Sequence, residues 1–292
     1  MPFPAVLRVA PRLDDRASLA WSRLGSAGPA QRRAAVLALL LRPGSEEEAR
    51  AWHDETRPLA GADGLLGDVA GLPAAARLPV LDRLLDAEAT APIEARQALL
   101  RATRRLMCAD GCVSALDRLV WLVVRHRLAG PVRPHRGGVR EDTTLGLLPL
   151  AMRQAIAQFT AYLARLVPVP DAHARVGVAG VAWHDLVLRQ AWGAASAPPT
   201  CHVPDEDALG RALSVLQSLG WLHRPALVRL WTEAAMTRPG LATGPDEPLP
   251  VAAEALWLAC RLLDTPVPPE LACRFVDPPV VPIGHVHSVA DA

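Results

Sequence analysis

The sequence predicts an all-α fold of stacked helical hairpins. Apolar residues recur at helical spacing in nearly every segment long enough to show a period, and no sustained period-2 alternation competes with them. A block of helix, Pro-started helix, glycine turn and Trp-bearing helix also occurs twice.

Taken in order, residues 29–41 carry Ala35, Leu37, Leu39, Leu40 and Leu41, apolar almost all round, as in a helix buried among others. Ser45-Glu46-Glu47-Glu48 opens the next helix with a capping-box signature, in which the Ser hydroxyl and the third-position Glu satisfy free N–H groups. The glycine-rich residues 60–73 are expected to form a loop. Helices follow over 74–88, 92–108 and 115–128, with breaks at 89–91 and 109–114. Residues 130–140, with Pro131, Pro134, Gly137 and Gly138, read as a connector. Helical patterning resumes over 145–166, 172–192, 205–219, 226–237 and 251–263, separated by proline-rich breaks at 196–204 and 239–250. Only 176–181 also reads as strand. Beyond Thr265, proline punctuates a tail expected to be extended or docked.

Composition narrows the function classes. In 292 residues Arg supplies all 31 positive side chains, Lys and Asn are absent, and 30 carboxylates leave a net charge of +1. That balance excludes a globally basic nucleic-acid binder and an acidic-tail protein. The 51% hydrophobic content excludes wholesale disorder. No run reaches the roughly 18 apolar residues of a spanning helix, and residues 1–8 do not read as a signal peptide. Five scattered cysteines, Cys108, Cys112, Cys201, Cys260 and Cys273, suggest reduced thiols. The expectation is a cytoplasmic chain without a membrane span, reaching a membrane only through a partner.

The repeat is the strongest signal. With Pro92 set on Pro225, Arg96 meets Arg229, Ala102 meets Ala235, Arg105 meets Arg238, and Ala109-Asp110-Gly111 falls on Ala242-Thr243-Gly244. After a three-residue insertion, Trp121-Leu122-Val123-Val124-Arg125 meets Trp257-Leu258-Ala259-Cys260-Arg261. Upstream, Leu81, Leu84 and Leu85 correspond to Leu213, Val215 and Leu216. Proline is tolerated in a first helical turn, where its missing N–H would be unpaired anyway, and glycine ends a helix in the left-handed conformation.

The segment from Arg105 to Asp117, with Ala109-Asp110-Gly111-Cys112-Val113-Ser114 at its centre, resembles the helix–turn–helix segment of TerB-like domains. More of the chain is similar to the non-catalytic, C-terminal cytoplasmic region of HtpX-like membrane zinc metallopeptidases. The resembling blocks are the apolar helix 34–41 with the acidic one after it, the 75–82 stretch, the Ala-Asp-Gly turn, Pro225-Ala226-Leu227-Val228, and 253–256 through Leu262-Leu263-Asp264-Thr265-Pro266. They span about 29–128 and 209–271. The family's HExxH places two His at i and i+4 on one metal with a Glu to activate water. That motif is absent here, since His53-Asp54-Glu55 and His184-Asp185 lack the second His, so proteolysis does not carry over. The resemblance implies two TerB-like repeat units. The division read from the sequence is a helical extension over 1–70, a first unit with its connector over 71–142, central helices over 143–204, a second unit over 205–270 and a tail over 271–292.

Candidate sites are few. Asp110 before Gly111 suggests half a calcium loop, but the alternating ligands and closing Glu are missing. A helix end at Gly111, followed by a Ser114/Asp117 cap, reads better. Cys108 and Cys112 flank the same turn at C-x3-C spacing, short of a zinc set and read as small buried thiols. His285 and His287 put two imidazoles on one side of the tail, a metal chelate if a third ligand joins, otherwise a solvated tail. Cys201-His202 is a conceivable nucleophile–base pair without an orienting partner. Arg125, Arg127, Arg133, Arg136 and Arg140, with His126 and His135, form the densest positive stretch, an anionic-partner patch or a solvated connector. No aromatic residue interleaves with it, against single-stranded nucleic acid. Eight Trp against one Tyr are mostly core, and an exposed one would mark a partner surface. The expected function is a non-enzymatic interaction or accessory module with a protein partner, by resemblance a membrane metallopeptidase or envelope-stress component, and without a cofactor. The alternatives are a metal- or small-ligand-binding stress protein of the tellurite-resistance type and an enzyme centred on Cys201-His202.

Overall fold

The computed structural model describes residues 10–129, 144–169, 175–193, 197–236 and 250–277, and within them every regular element is helical. In chain order these are α1 (Asp15–Gly25), α2 (Pro29–Leu39), α3 (Glu46–Thr56), α4 (Ala62–Ala70), α5 (Ala74–Ala89), α6 (Ile93–Met107) and α7 (Ala115–Ala129). A 3-10 turn at Leu145–Leu147 leads to α8 (Leu150–Leu163), α9 (Val178–Trp192), α10 (Glu206–Gln217), α11 (His223–Met236), α12 (Val251–Leu262) and α13 (Pro269–Ala272). Among the described residues no helix is long and apolar enough to cross a membrane.

Helix α2 is the hub of the N-terminal half. Ala34 through Leu39 are all buried, as a helix apolar on every side requires, because α1, α3, α4, α5 and α6 surround it. Trp52 of α3 packs into this group and donates its indole N–H to the Ala34 carbonyl at 3.0 Å. Several elements correct the sequence reading. Residues 60–73 contain α4 rather than a loop, and α1 forms where that reading places no individual helix. The helices expected over 145–166 and 172–192 begin later, α8 at Leu150 after the 3-10 turn and α9 at Val178. Gly64 and Gly67 in the interior of α4 cost about 1 kcal/mol each relative to alanine. Leu65 and Val69, one turn apart, are buried against α1 and α2, and each burial returns about 2 kcal/mol. The composition signal was local, and packing outweighs it. The 176–181 ambiguity also resolves as helix, with α9 starting at Val178.

The two halves meet where the Trp-bearing helices α7 and α12 pack on each other. α7 rests on α5 and α6, whereas α12 rests on α11 and α7, so the two sets of three helices share element order but not all of their packing. In each set an arginine from the helix before donates to a carbonyl at the end of the Trp-bearing helix: Arg96 to Leu128 at 2.9 Å, Arg224 to Leu263 at 2.8 Å. The sequence counterpart of Arg96, Arg229, is exposed instead. Gly111 takes the expected left-handed φ of 72°, while Gly244 lies outside the described residues. Beyond α12, α8 packs on α9 and α10, and α9 packs on α11. Gly180 lets α9 approach so closely that a Cβ there would lie 2.0 Å from the Ala164 carbonyl oxygen.

Phe275 and Val276 dock for a reason written in α5. Pro79 inside that helix has no N–H to give the Ala75 carbonyl four residues back. Val276 donates to that carbonyl instead, at 3.1 Å, and Phe275 buries against Trp257 with ring centroids 4.3 Å apart.

Candidate functional site

Among the described residues, a dense polar cluster lies where α5, α7, α10, α11 and α12 converge. α12 ends in a Schellman arrangement: Thr265 N–H donates to the Cys260 carbonyl and Asp264 N–H to that of Arg261. The left-handed position is filled by Asp264, at φ 49°, where glycine is the ordinary choice. Its carboxylate receives the imidazole of His126 on α7 at 3.1 Å and lies 3.9 Å from the Arg224 guanidinium. Burial works to raise the Asp264 carboxyl, but the His126 hydrogen bond and the charges of His126, Arg127 and Arg224 hold it below the ordinary carboxylate range.

The hydrogen bonds assign the His126 tautomer. The Gln217 amide nitrogen donates to the Leu262 carbonyl at 2.9 Å, which fixes the amide's orientation, and the same nitrogen lies 3.1 Å from His126 Nδ1. In the neutral ring Nδ1 is therefore the acceptor and the proton sits on Nε2, facing Asp264. Beside this pair, Asp82 of α5 accepts from Arg127 of α7 and pairs with Arg261 of α12, each at 3.0 Å. Arg127 also pairs with Asp86, and Arg261 lies over the Trp257 ring, 4.9 Å from its centroid. Burial pushes the Asp82 carboxyl up, against the pull of the two guanidiniums. Across this junction, cations meet carboxylates from other helices; the arrangement ties helices together.

At the edge of the junction, the turn between α10 and α11 carries Trp221, 62% exposed, and Leu222, 45% exposed. The turn is held on both sides by bonds to the end of α12, from Gln217 before it and Arg224 after it.

The residues singled out from the sequence fall as follows. Asp110 accepts the N–H of Cys112 on one oxygen and pairs with Arg42 through the other, so the acidic turn is a docking point for the end of α2. Ser114 and Asp117 make the expected reciprocal cap, at 2.8 and 3.1 Å. At the other expected capping box only the Ser45 half forms, to Glu48 N–H. The Glu48 carboxylate turns to Arg42, accepting from its backbone N–H at 2.6 Å and its Nε at 2.7 Å. Cys108 and Cys112 are exposed, not buried as expected. Cys201 is half-buried and its thiol is pushed up to about 11 by burial and by Asp185, the opposite of an activated nucleophile, while His202 is exposed. Of the arginine patch, Arg127 is engaged with Asp82 and Asp86, and Arg125 is exposed. Arg133, Arg136 and Arg140, and likewise His285 and His287, lie outside the described residues. Among the described residues no three His, Cys, Asp or Glu side chains are grouped to hold a metal ion.

Sequence reasoning missed Asp82, Arg224 and Asp264. The repeat alignment does set Arg125 on Arg261, but among the described residues only Arg261 of the two pairs with a carboxylate. Nor did it single out a cleft of about 580 Å³ between α2, α3, α4 and α5, whose rim carries Arg42 and Arg77. The chain matches no protein-family model, no curated protein and no solved structure.

Proposed function

We propose that this chain is a non-enzymatic helical interaction module whose contact surface is the Trp221–Leu222 corner, serving as an accessory or scaffold to a membrane metallopeptidase or another envelope-stress component. The carrying observation is the exposure of Trp221. Trp21, Trp52, Trp183, Trp231 and Trp257 are buried and Trp121 and Trp192 are half-buried, whereas Trp221 is 62% exposed. Indoles are enriched at the energetic centres of protein interfaces. A turn already pinned at both ends loses little freedom when a partner covers it, which favours binding over ordering cost.

The chemistry elsewhere supports the same reading. The Cys201 and Cys260 thiols are pushed up to about 11 and about 12, which keeps them protonated. Asp110, the residue a metal-binding stress protein would use, is engaged by Arg42. In this reading α5–α7 and α10–α12 are the two TerB-like units, and the resembling blocks make a membrane metallopeptidase the first partner to try. The test is affinity capture from the native host with the wild-type chain and with a Trp221→Asp/Leu222→Asp variant whose circular dichroism is unchanged. The expected result is a specific protein partner retained by the first and lost by the second. A partner held equally by both, or stoichiometric metal in the purified chain, overturns the reading.

A further inference from the structure

The cleft between α2, α3, α4 and α5 has a floor of small and aliphatic side chains: Ala38, Leu41, Ala49, Leu66 and Val69. At about 580 Å³ it lies within the size range of small-molecule sites. Its two arginines are in opposite states. Arg42 is charge-compensated by Glu48 and Asp110 and also donates to the Cys112 carbonyl. Arg77, on α5, donates from Nη2 to the Leu39 carbonyl at 3.1 Å, and its other N–H groups meet no acceptor among the described residues. The opposing charge that acts on it is Glu254 of α12, which is not within ion-pair distance. A half-buried guanidinium without a contact anion bears a desolvation penalty that a ligand can relieve.

We propose that this cleft binds a small monoanionic carboxylate with a short apolar body, the carboxylate on Arg77 and the body on the aliphatic floor. The charge count selects the class. Arg77, with no carboxylate in ion-pair contact, shares the lining with Glu46 and feels Glu254 from beyond contact distance, which suits a single negative charge and opposes a phosphate dianion. The planar fork matches a carboxylate in two-point contact, and the Leu39 bond leaves one edge of that fork open. This site is separate from the Trp221 corner, and either stands if the other fails.

The test is isothermal titration of the full chain with octanoate, with 1-octanol as the neutral analogue and inorganic phosphate as the competing anion. Two variants bracket the site: Arg77→Met keeps the aliphatic stem without the charge, and Ala49→Phe fills the floor while leaving Arg77 in place. The expected result is one saturable octanoate site, weakened at least tenfold for 1-octanol and for each variant, and not displaced by phosphate. Folding of the variants is checked by circular dichroism, and the Arg77 Nε–Hε resonance in the wild type reports directly whether the guanidinium is engaged. Absence of octanoate binding to the wild type, equal binding by Arg77→Met or Ala49→Phe, an unmoved Arg77 resonance, or displacement by phosphate overturns the proposal.

Discussion

Glu254, in the first turn of α12, is a carboxylate that folding places at a disadvantage. Burial pushes its pKa up to about 7, against the attraction of Arg77, from an ordinary 4.5. A difference of about 2.5 units at 1.36 kcal/mol each gives about 3 kcal/mol. Because the folded value is the higher one, the native state holds this proton more tightly than the unfolded chain does. Below pH 4.5 both states are protonated and there is no cost. Between pH 4.5 and 7 the unfolded chain ionises first and stability falls, and above pH 7 the full cost is in place. Glu254→Gln mimics the protonated form permanently. Its stability relative to wild type, from urea unfolding followed by tryptophan fluorescence and far-UV circular dichroism, is expected to exceed wild type by under 1 kcal/mol at pH 5 and by about 3 kcal/mol at pH 8. Taking the difference between two chains that share every other titrating group isolates this one. A gap that does not change with pH, or that widens toward acid, refutes the reasoning.

Two other positions give sharp expectations. Gly180→Ala forces a methyl group to within 2.0 Å of the Ala164 carbonyl oxygen, so α9 must move away from α8; a loss on the order of 3 kcal/mol is expected in chemical denaturation, and a loss under 1 kcal/mol would mean that the helices do not approach as described. At Asp264, both Asp264→Ala and Asp264→Gly remove the partner of His126, but only glycine accepts φ 49° without strain. Asp264→Gly is therefore expected to be more stable than Asp264→Ala by about 1 kcal/mol in the same assay, and equal stabilities would show that the left-handed position imposes nothing.

Much of the local structure was legible before any coordinates. The Ser114/Asp117 cap, the turn at Gly111 and the limits of the Pro-started helix after Pro92 each depend on residues within a turn of one another, and they form as read. The capping box at Ser45 shows where such reading stops. Glu48 has the right spacing to close the box, but Arg42 offers both a backbone N–H and a guanidinium, and a charge-assisted pair is stronger than a bond to a neutral amide. The same limit explains α4, whose two glycines signalled a loop while Leu65 and Val69 supplied a buried face against helices over 20 residues away in sequence.

What the sequence alone determined is that the chain is helical, where most helices begin and end, and which of their faces are apolar, because period, caps and breakers act over a few residues. Which helices meet was decided only in three dimensions. Asp82 gains its two arginines from α7 and α12, the carbonyl freed by Pro79 gains Val276 from the tail, and Arg77 is left facing a cleft, through contacts between residues far apart along the chain. The exposure of Trp221 is of the same kind: an indole beside an apolar helix reads as core until the packing leaves it largely exposed.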